Sequence, residues 1–395
     1  MRLAILADDL TGACDTGIQF VDQGFRVSVK TNNDRAQAPD AEIVVVSTAS
    51  RSDSPLLAAS KVREAQADLV QQHRHLIYKK VDSTLQGNLG VEIAEVLQHH
   101  PDKMVVFCPA FPAMGRQVIH GELNVDTIHG VQKIQVSERI QSQVNMDVMS
   151  IGLHDVRQGS AHLVELMELA MSQKIPICCA DAENDQDLAL IAQSVMSLSS
   201  RVLPVGSAGL AYPLAQQYAR IDSRLFVTHP SWWPKDEKTA CGSVVYFVGS
   251  RNEVTKRQLQ VVVKHGPAIV TETNEVGVRR FSKAMRSGSH VIVHVHWGTE
   301  YFSSLNAILK EVARNRTASL VVTGGDTLQL ICNVTGATGI NLQEQIDLGM
   351  AKGQLVDGLL DGTVLVTKAG GFGRDDTLFN ISAELIRQAP SRGVG

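Results

Sequence analysis

Short, nearly continuous apolar runs alternate along this chain with longer stretches of helical spacing, and that alternation restricts it to one class of fold. In the first half, residues 3–7, 42–47, 75–79, 104–108, 175–180 and 201–205 read as strands, most of them rich in Val, Ile, Leu and Ala as buried parallel strands are. Between them, 12–23, 55–72, 90–99, 160–173, 184–198 and 208–220 carry helical spacing. Ser54 followed by Pro55 is a good helix start, with Ser at the cap and Pro in the first turn. Strand–helix alternation implies right-handed crossovers and a sheet covered on both faces.

The pattern stops at 228–239, where THPSWWPKDEKT holds two prolines, two tryptophans and a charged cluster without amphipathic period. It then restarts: 243–248, 268–271, 290–295, 319–322 and 363–367 are strand-like, and 252–265, 300–315, 327–334 and 377–388 are helical. A chain of 395 residues exceeds what one core usually carries. The expected architecture is two α/β domains with mainly parallel sheets and a cleft between them, one over 1–228 and one over 240–395, with 228–239 as the linker.

Composition narrows the function classes. Thirty-seven basic residues against 41 acidic ones give a net charge of -4, which leaves no global positive field for nucleic acid. Six cysteines without a C-x-x-C spacing suit neither a disulfide scaffold nor structural zinc, and point to a reduced, cytoplasmic compartment. The first apolar run ends at Asp8 and Asp9, and no later run reaches the length of a membrane span, so a soluble protein is expected.

In open α/β sheets ligands bind beyond the carboxyl ends of the strands, so the chemistry is sought in the loops that follow them. Asp8-Asp9-Leu10-Thr11-Gly12 after the first strand pairs two carboxylates with a helix start; one would serve as a cap, and the second calls for another role. Arg51 follows the next predicted strand, 42–47, in a polar loop and suits capture of a carboxylate or phosphate, although a lone loop Arg is ordinary. The densest polar group in this half is Lys79-Lys80-Val81-Asp82-Ser83-Thr84-Leu85-Gln86-Gly87-Asn88. Capping explains one hydroxyl there and leaves Lys80 and Asp82 without a structural task. His120 follows a proline-rich loop and reads as structural.

Three glycine-bearing turns stand at strand ends in the second half: around Ser250, at Gly324-Gly325-Asp326-Thr327, and at Gly370-Gly371-Phe372-Gly373. None is a P-loop or a dinucleotide fingerprint, but three in one domain point to a nucleotide or polyphosphate site. Two functions from different classes fit: a two-domain phosphotransferase, and a hinged non-catalytic binding protein for a small acid. The number of acid–base groups favours the first.

The stretches A-D-D-L-T-G-A-C-D-T-G, K-x-D-S-T-L-x-G-N, P-A-F-P-x-x-G-R, V-G-S-A-G-L and the late G-G-D-T resemble the four-carbon acid-sugar kinases, over nearly the whole chain. The resemblance implies ATP-dependent phosphorylation of the terminal (4-) hydroxyl of a four-carbon sugar acid. D-threonate is the first expectation, and D-erythronate and 4-hydroxy-L-threonine are the alternatives. It implies that Asp9, Arg51, Lys80, Val81, Asp82 and Ser83 line the acid site in the first domain, with Asp9 or Asp82 taking the hydroxyl proton. It assigns ATP, with Mg²⁺ on its phosphates, to Ser250, Gly324, Gly325, Asp326, Thr327, Gly370, Gly371, Phe372 and Gly373 in the second. No nucleic acid or membrane partner is implied, and a homodimer is among the assemblies allowed. The family commonly has Arg where this chain has Gln86, and G-N-F where it has Gly370-Gly371-Phe372.

Overall fold

The computed structural model describes residues 2–31, 40–127, 130–221, 242–266, 268–315 and 318–387. The linker expected at 228–239 lies outside the described residues. The chain divides into two compact units, Met1–Val27 with Gln37–Thr228 and Ser28–Ala36 with His229–Gly395.

The strands before the expected linker are β1 (Leu3–Ala7), β2 (Val27–Lys30), β3 (Ile43–Ser47), β4 (His75–Lys80), β5 (Met104–Cys108), β6 (Arg116–Ile119), β7 (Glu122–Thr127), β8 (Gly130–Gln135), β9 (Val148–Ile151), β10 (Ile177–Ala180) and β11 (Val202–Gly206). Seven of them build the sheet of the first unit, all parallel, in the order β3-β1-β4-β11-β5-β10-β9. Every residue of β1, β3 and β5 is buried, which is why these strands read as unbroken apolar runs. Helices α1 (Leu10–Val21), α2 (Pro55–Gln71) and α3 (Leu89–His99) follow β1, β3 and β4. Ala4, Leu6, Val44 and Val46 of the sheet pack with Val62, Ala65 and Leu69 of α2 and with Val96 of α3. Helix α1 is buried at all twelve positions, so polar residues on it need partners inside the protein or a ligand.

The second unit has β12 (Ser243–Val248), β13 (Ala268–Glu272), β14 (His290–His294), β15 (Ala318–Thr323), β16 (Gly339–Asp347), β17 (Met350–Val356) and β18 (Val364–Lys368). Strands β13-β14-β12-β15-β18 are parallel, and β17 and β16 continue the sheet antiparallel. Ser28, Val29 and Lys30 of β2 pair antiparallel with Asn341, Ile340 and Gly339, so this early segment groups with the second unit.

The mixed α/β class with mainly parallel sheets agrees with the sequence reading. Strands β2, β6–β9, β16 and β17, and the helix Glu275–Arg286, fall where no element is expected. β6, β7 and β8 form a separate antiparallel sheet, and Gly130–Gln135 has no buried position, so no apolar run marks it. The five described cysteines are buried and unbridged. Among the described residues no helix is long and apolar enough to cross a membrane.

Candidate active site

β3, β1 and β4 are neighbours, and Ser47, Ala7 and Lys80 stand side by side at their carboxyl ends. The loops leaving them therefore meet. Asp9 caps α1: its Oδ1 accepts from the Gly12 amide at 3.0 Å and its Oδ2 from the Thr11 hydroxyl at 2.6 Å. Asp8 has a different partner. Arg51 donates from Nε and Nη2 to the two Asp8 oxygens at 2.7 and 2.9 Å, and from Nη2 to Asp9 Oδ1 at 2.6 Å. Its Nη1 lies 3.6 Å from Asp82 Oδ1. One guanidinium thus ties together carboxylates from two loops.

Burial works against charge on Asp8, yet Arg51 beside it, with Lys80 and Lys79, holds its carboxyl far below the usual range. Burial also opposes the charge on Arg51, and Asp8, Asp9 and Asp82 more than offset it. Asp82 follows the same pattern: desolvation pushes its carboxyl up, while Arg51, Lys80 and the Thr84 hydroxyl bring it below its ordinary value. Asp82 Oδ2 accepts from the Thr84 hydroxyl, from the Thr84 amide at 3.1 Å and from the Gln86 amide at 3.3 Å. Gln86 meets the cluster through its backbone, and the residue is exposed.

Lys80 is buried and donates to the Val81 carbonyl at 2.8 Å. Val81 is in the core, and its own amide donates to Gly206 at 2.9 Å, so it contributes backbone. Ser83 accepts from Arg116 Nη1 at 2.6 Å. A Cβ at position 12 would sit 2.9 Å from Lys80 Nζ and collide with Asp9 Oδ1, so only glycine lets helix α1 start this close to the cluster.

The six expected acid-site residues, Asp9, Arg51, Lys80, Val81, Asp82 and Ser83, are therefore brought together within the first unit. Other residues hold them, and two of these, Asn88 and Arg116, stand in the sequence motifs above without an assigned role. Arg116 carried a signal, being the last residue of P-A-F-P-x-x-G-R. Asn88 Nδ2 donates to the Ser50 and Asp53 carbonyls, both at 3.0 Å. Arg139 donates to Leu85 and Gly87 carbonyls at 3.0 Å, and Gln143 to Gly87 at 2.8 Å. Neither Arg139 nor Gln143 lies in a strand-end loop, which is why a search of those loops misses them. His120 has a φ of 56° beside Gly121 in the β6–β7 turn, a structural placement.

In the second unit the three glycine turns converge. Gly324 (φ 97°) is the N-cap of helix Gly325–Thr335, and a Cβ on it would lie 3.8 Å from the Ser250 amide. A Cβ on Gly370 would collide with the Ser250 hydroxyl, so these turns approach as bare backbone. The first amides of helix Gly325–Thr335 have no intrahelical acceptor and form a ready anion site. Asp326 is exposed and Thr327 buried in that first turn. Phe372 points into the core, and Gly373 (φ 84°) packs against Met350 and Thr377. These two shape the turn from below.

Lys368, fully buried at the end of β18, donates to the Ala369 and Gly370 carbonyls at 3.0 and 3.1 Å and to Thr255 Oγ1 at 3.3 Å. Burial pulls its pKa down to about 7. A bare cradle of this kind fits a nucleotide. Mg²⁺ on a nucleotide needs only one or two protein carboxylates besides phosphate oxygens, and Asp326 is the exposed one on this turn. Among the described residues no cluster of three metal-ligating side chains exists.

The chain matches two family models, a sugar-binding N-terminal domain over residues 3–214 and a nucleotide-binding C-terminal domain over 245–378. It is 27% identical to a D-threonate kinase of Salmonella typhimurium, over 96% of this chain and 97% of that one. It is 25% identical to a D-erythronate kinase of Heliobacterium modesticaldum, over 95% of each chain. A 3-oxo-tetronate kinase of Brucella melitensis is 24% identical, over 96% of this chain and 94% of the relative. Solved structures share the fold at 19% identity. One from Salmonella typhimurium LT2 has a TM-score of 0.78 over 98% of this chain and 99% of that one, and one from Haemophilus influenzae has 0.69 over 97% and 100%. The first family model alone spans more than half of the residues, and with it the chain belongs to the four-carbon acid-sugar kinases.

Proposed function

We propose that the protein transfers the γ-phosphoryl group of ATP to the terminal (4-) hydroxyl of D-threonate, giving 4-phospho-D-threonate and ADP. The observation that carries this reading is the junction of Arg51, Lys80, Ser83 and Arg116 with Asp8, Asp9 and Asp82 at the carboxyl ends of β1, β3 and β4. It is a compact polar cluster with both signs of charge, scaled to one small hydroxylated anion. D-threonate stands first because the kinases for that acid are 27% identical to this chain, against 25% for the D-erythronate kinase and 24% for the 3-oxo-tetronate kinase of Brucella. In this reading residues 1–228 hold the acid and 240–395 hold ATP.

Phosphoryl transfer is mainly positioning and electrostatics, and the chain's own groups divide that work. Lys80 and Arg116 attract and hold the acid, and Ser83, gripped by Arg116, orients a hydroxyl. Arg51 chiefly fixes the carboxylates, since its Nε and Nη2 are engaged by Asp8 and Asp9 and its Nη1 faces Asp82 at 3.6 Å. Asp9 is saturated by a cap, a hydroxyl and Arg51, whereas Asp82 Oδ1 has only the 3.6 Å contact to Arg51. Asp82 is therefore assigned the proton of the attacking hydroxyl, and Asp9 the geometry of the loop. Ser250, the Gly324–Thr327 amides and Gly370-Gly371 take the phosphates. Bound Mg²⁺ would supply charge neutralisation on them, with Asp326 as its protein ligand.

An ADP-release screen at saturating Mg·ATP tests the function. D-threonate should give the highest kcat/KM among D-threonate, D-erythronate, 3-oxo-tetronate and 4-hydroxy-L-threonine. A higher value for another acid reassigns the substrate, and silence with all four removes the kinase reading of this site.

Lys368 offers a separate check on the nucleotide half. Lys368→Met removes the donors that clasp the Gly370 turn and should raise KM for ATP about tenfold, near 1.4 kcal/mol, with KM for the acid unchanged. Because its ammonium deprotonates near pH 7, KM for ATP in the unaltered protein should climb from pH 6.5 to 8.5. That slope should vanish in the variant. An equal rise of both KM values would show a general loss of structure instead.

A further inference from the structure

We propose that Asp15 is a specificity-determining residue of the acid site, where its buried Oδ1 accepts a hydroxyl of the bound sugar acid. The proposal rests on the acid-site reading above and adds to it a residue from inside helix α1.

Asp15 lies mid-helix, 4% exposed, and its Oδ1 is buried without a hydrogen-bond partner. A buried carboxylate oxygen left unbonded is costly, and folds that retain one generally put it to use. Capping does not explain it, because Asp9 already caps α1. Its direction follows from the helix period. The position-12 Cβ direction points at Lys80 Nζ, and residue 15, three positions on, lies on the same face. Lys80, Arg116 and Asp9 are the charged groups that act on its carboxyl, and Tyr78 of β4 in turn responds to Asp15. Two of these, Lys80 and Arg116, are the cations assigned to the acid, so a hydroxyl next to the substrate carboxylate comes within reach of Oδ1.

Burial raises the Asp15 pKa to about 6 against the pull of Lys80 and Arg116, with Asp9 adding to the rise. At neutral pH the group is mostly ionised and serves as an acceptor. A site built to bond a hydroxyl rejects the analogue that lacks it, because the polar group is then left unpaired. For one bond to a charged group that discrimination is about 10–100-fold.

The test uses the full chain and its Asp15→Asn variant, with D-threonate and with the two dihydroxybutanoates that lack the hydroxyl at carbon two or carbon three. The unaltered protein should prefer D-threonate over one of the two by about 10–100-fold in kcat/KM. Asp15→Asn should shrink that ratio to a few-fold by raising KM for D-threonate, while KM for ATP stays constant. A purely structural role would weaken all three acids alike. Equal weakening, or unaltered discrimination in an active protein, overturns the proposal for Asp15 alone. Absence of turnover on every four-carbon acid in the unaltered protein overturns the acid-site reading and Asp15 with it. Should the variant fail to fold, the unaltered protein provides a second measurement. Its preference for D-threonate over the deoxy acid should fall as pH drops through about 6, where Asp15 gains a proton, and a flat ratio from pH 5 to 8 overturns the proposal.

Discussion

Glu92→Gln should destabilise the protein by about 3–5 kcal/mol, as much as truncating a large core side chain. Glu92 of α3 meets Lys79 of β4 at 2.7 Å with both side chains essentially sealed from solvent. The pair is tied to the loop after β3 and to the end of β4. Glu92 Oε1 accepts from the Ser50 hydroxyl at 2.7 Å, next to Arg51, and Lys79 donates to the Lys80 carbonyl at 2.8 Å. Removing one charge strands the other in a low-dielectric interior, and total stability is only about 5–15 kcal/mol. Urea denaturation of the variant measures the loss. A double variant, Lys79→Met with Glu92→Leu, separates two explanations, because replacing both charges by apolar groups of similar volume is often close to neutral. It should regain most of the stability while activity stays low, since Ser50 and Lys80 lose their anchors. A single-variant cost below about 1 kcal/mol would mean that water reaches the pair and that the loops are held elsewhere.

This buried pair also shows where sequence reading reaches its limit. Lys79 and Lys80 are adjacent cations at the end of β4, and residue type alone does not say which one is spent inside the fold and which faces the site. What was legible followed from period and from strand ends. Parallel strands buried on both faces are unbroken apolar runs, as in β1, β3 and β5. Ligand chemistry then concentrates in the loops after them. Elements without those marks were not legible. Strand β8 has no buried residue, and β2 is four residues that find their partner more than 300 positions away at β16. Helix Glu275–Arg286 buries Gly277, Phe281, Ala284 and Met285, a readable spacing diluted by basic residues. Asp15 lies inside a helix, out of reach of a rule that inspects loops, and only its burial and unbonded oxygen single it out.

Exchanging carboxylate for amide at the two candidate bases should separate them by the kinetic constant each one moves. Asp82→Asn should lower kcat by about 10²–10⁴ with KM for the acid within a few-fold, as expected when a proton acceptor is lost in the transition state. Asp9→Asn should act mainly on affinity and stability. An Asn side chain still caps a helix, so the cap itself costs little. The lost charge, however, weakens the 2.6 Å bond from Arg51 to Oδ1, and the amide nitrogen that replaces Oδ2 no longer accepts from the Thr11 hydroxyl. The pH profile provides an independent sign. Burial raises the Asp82 carboxyl, but Arg51, Lys80 and the Thr84 hydroxyl outweigh it, so Asp82 stays ionised down to pH values below the ordinary aspartate range. Deprotonation of Asp82 therefore cannot produce an acid limb between pH 5 and 7. A limb near pH 6 that appears in kcat/KM for D-threonate, and disappears in Asp15→Asn, belongs to Asp15. If Asp9→Asn instead abolishes turnover at unchanged KM and Asp82→Asn spares it, the two assignments exchange.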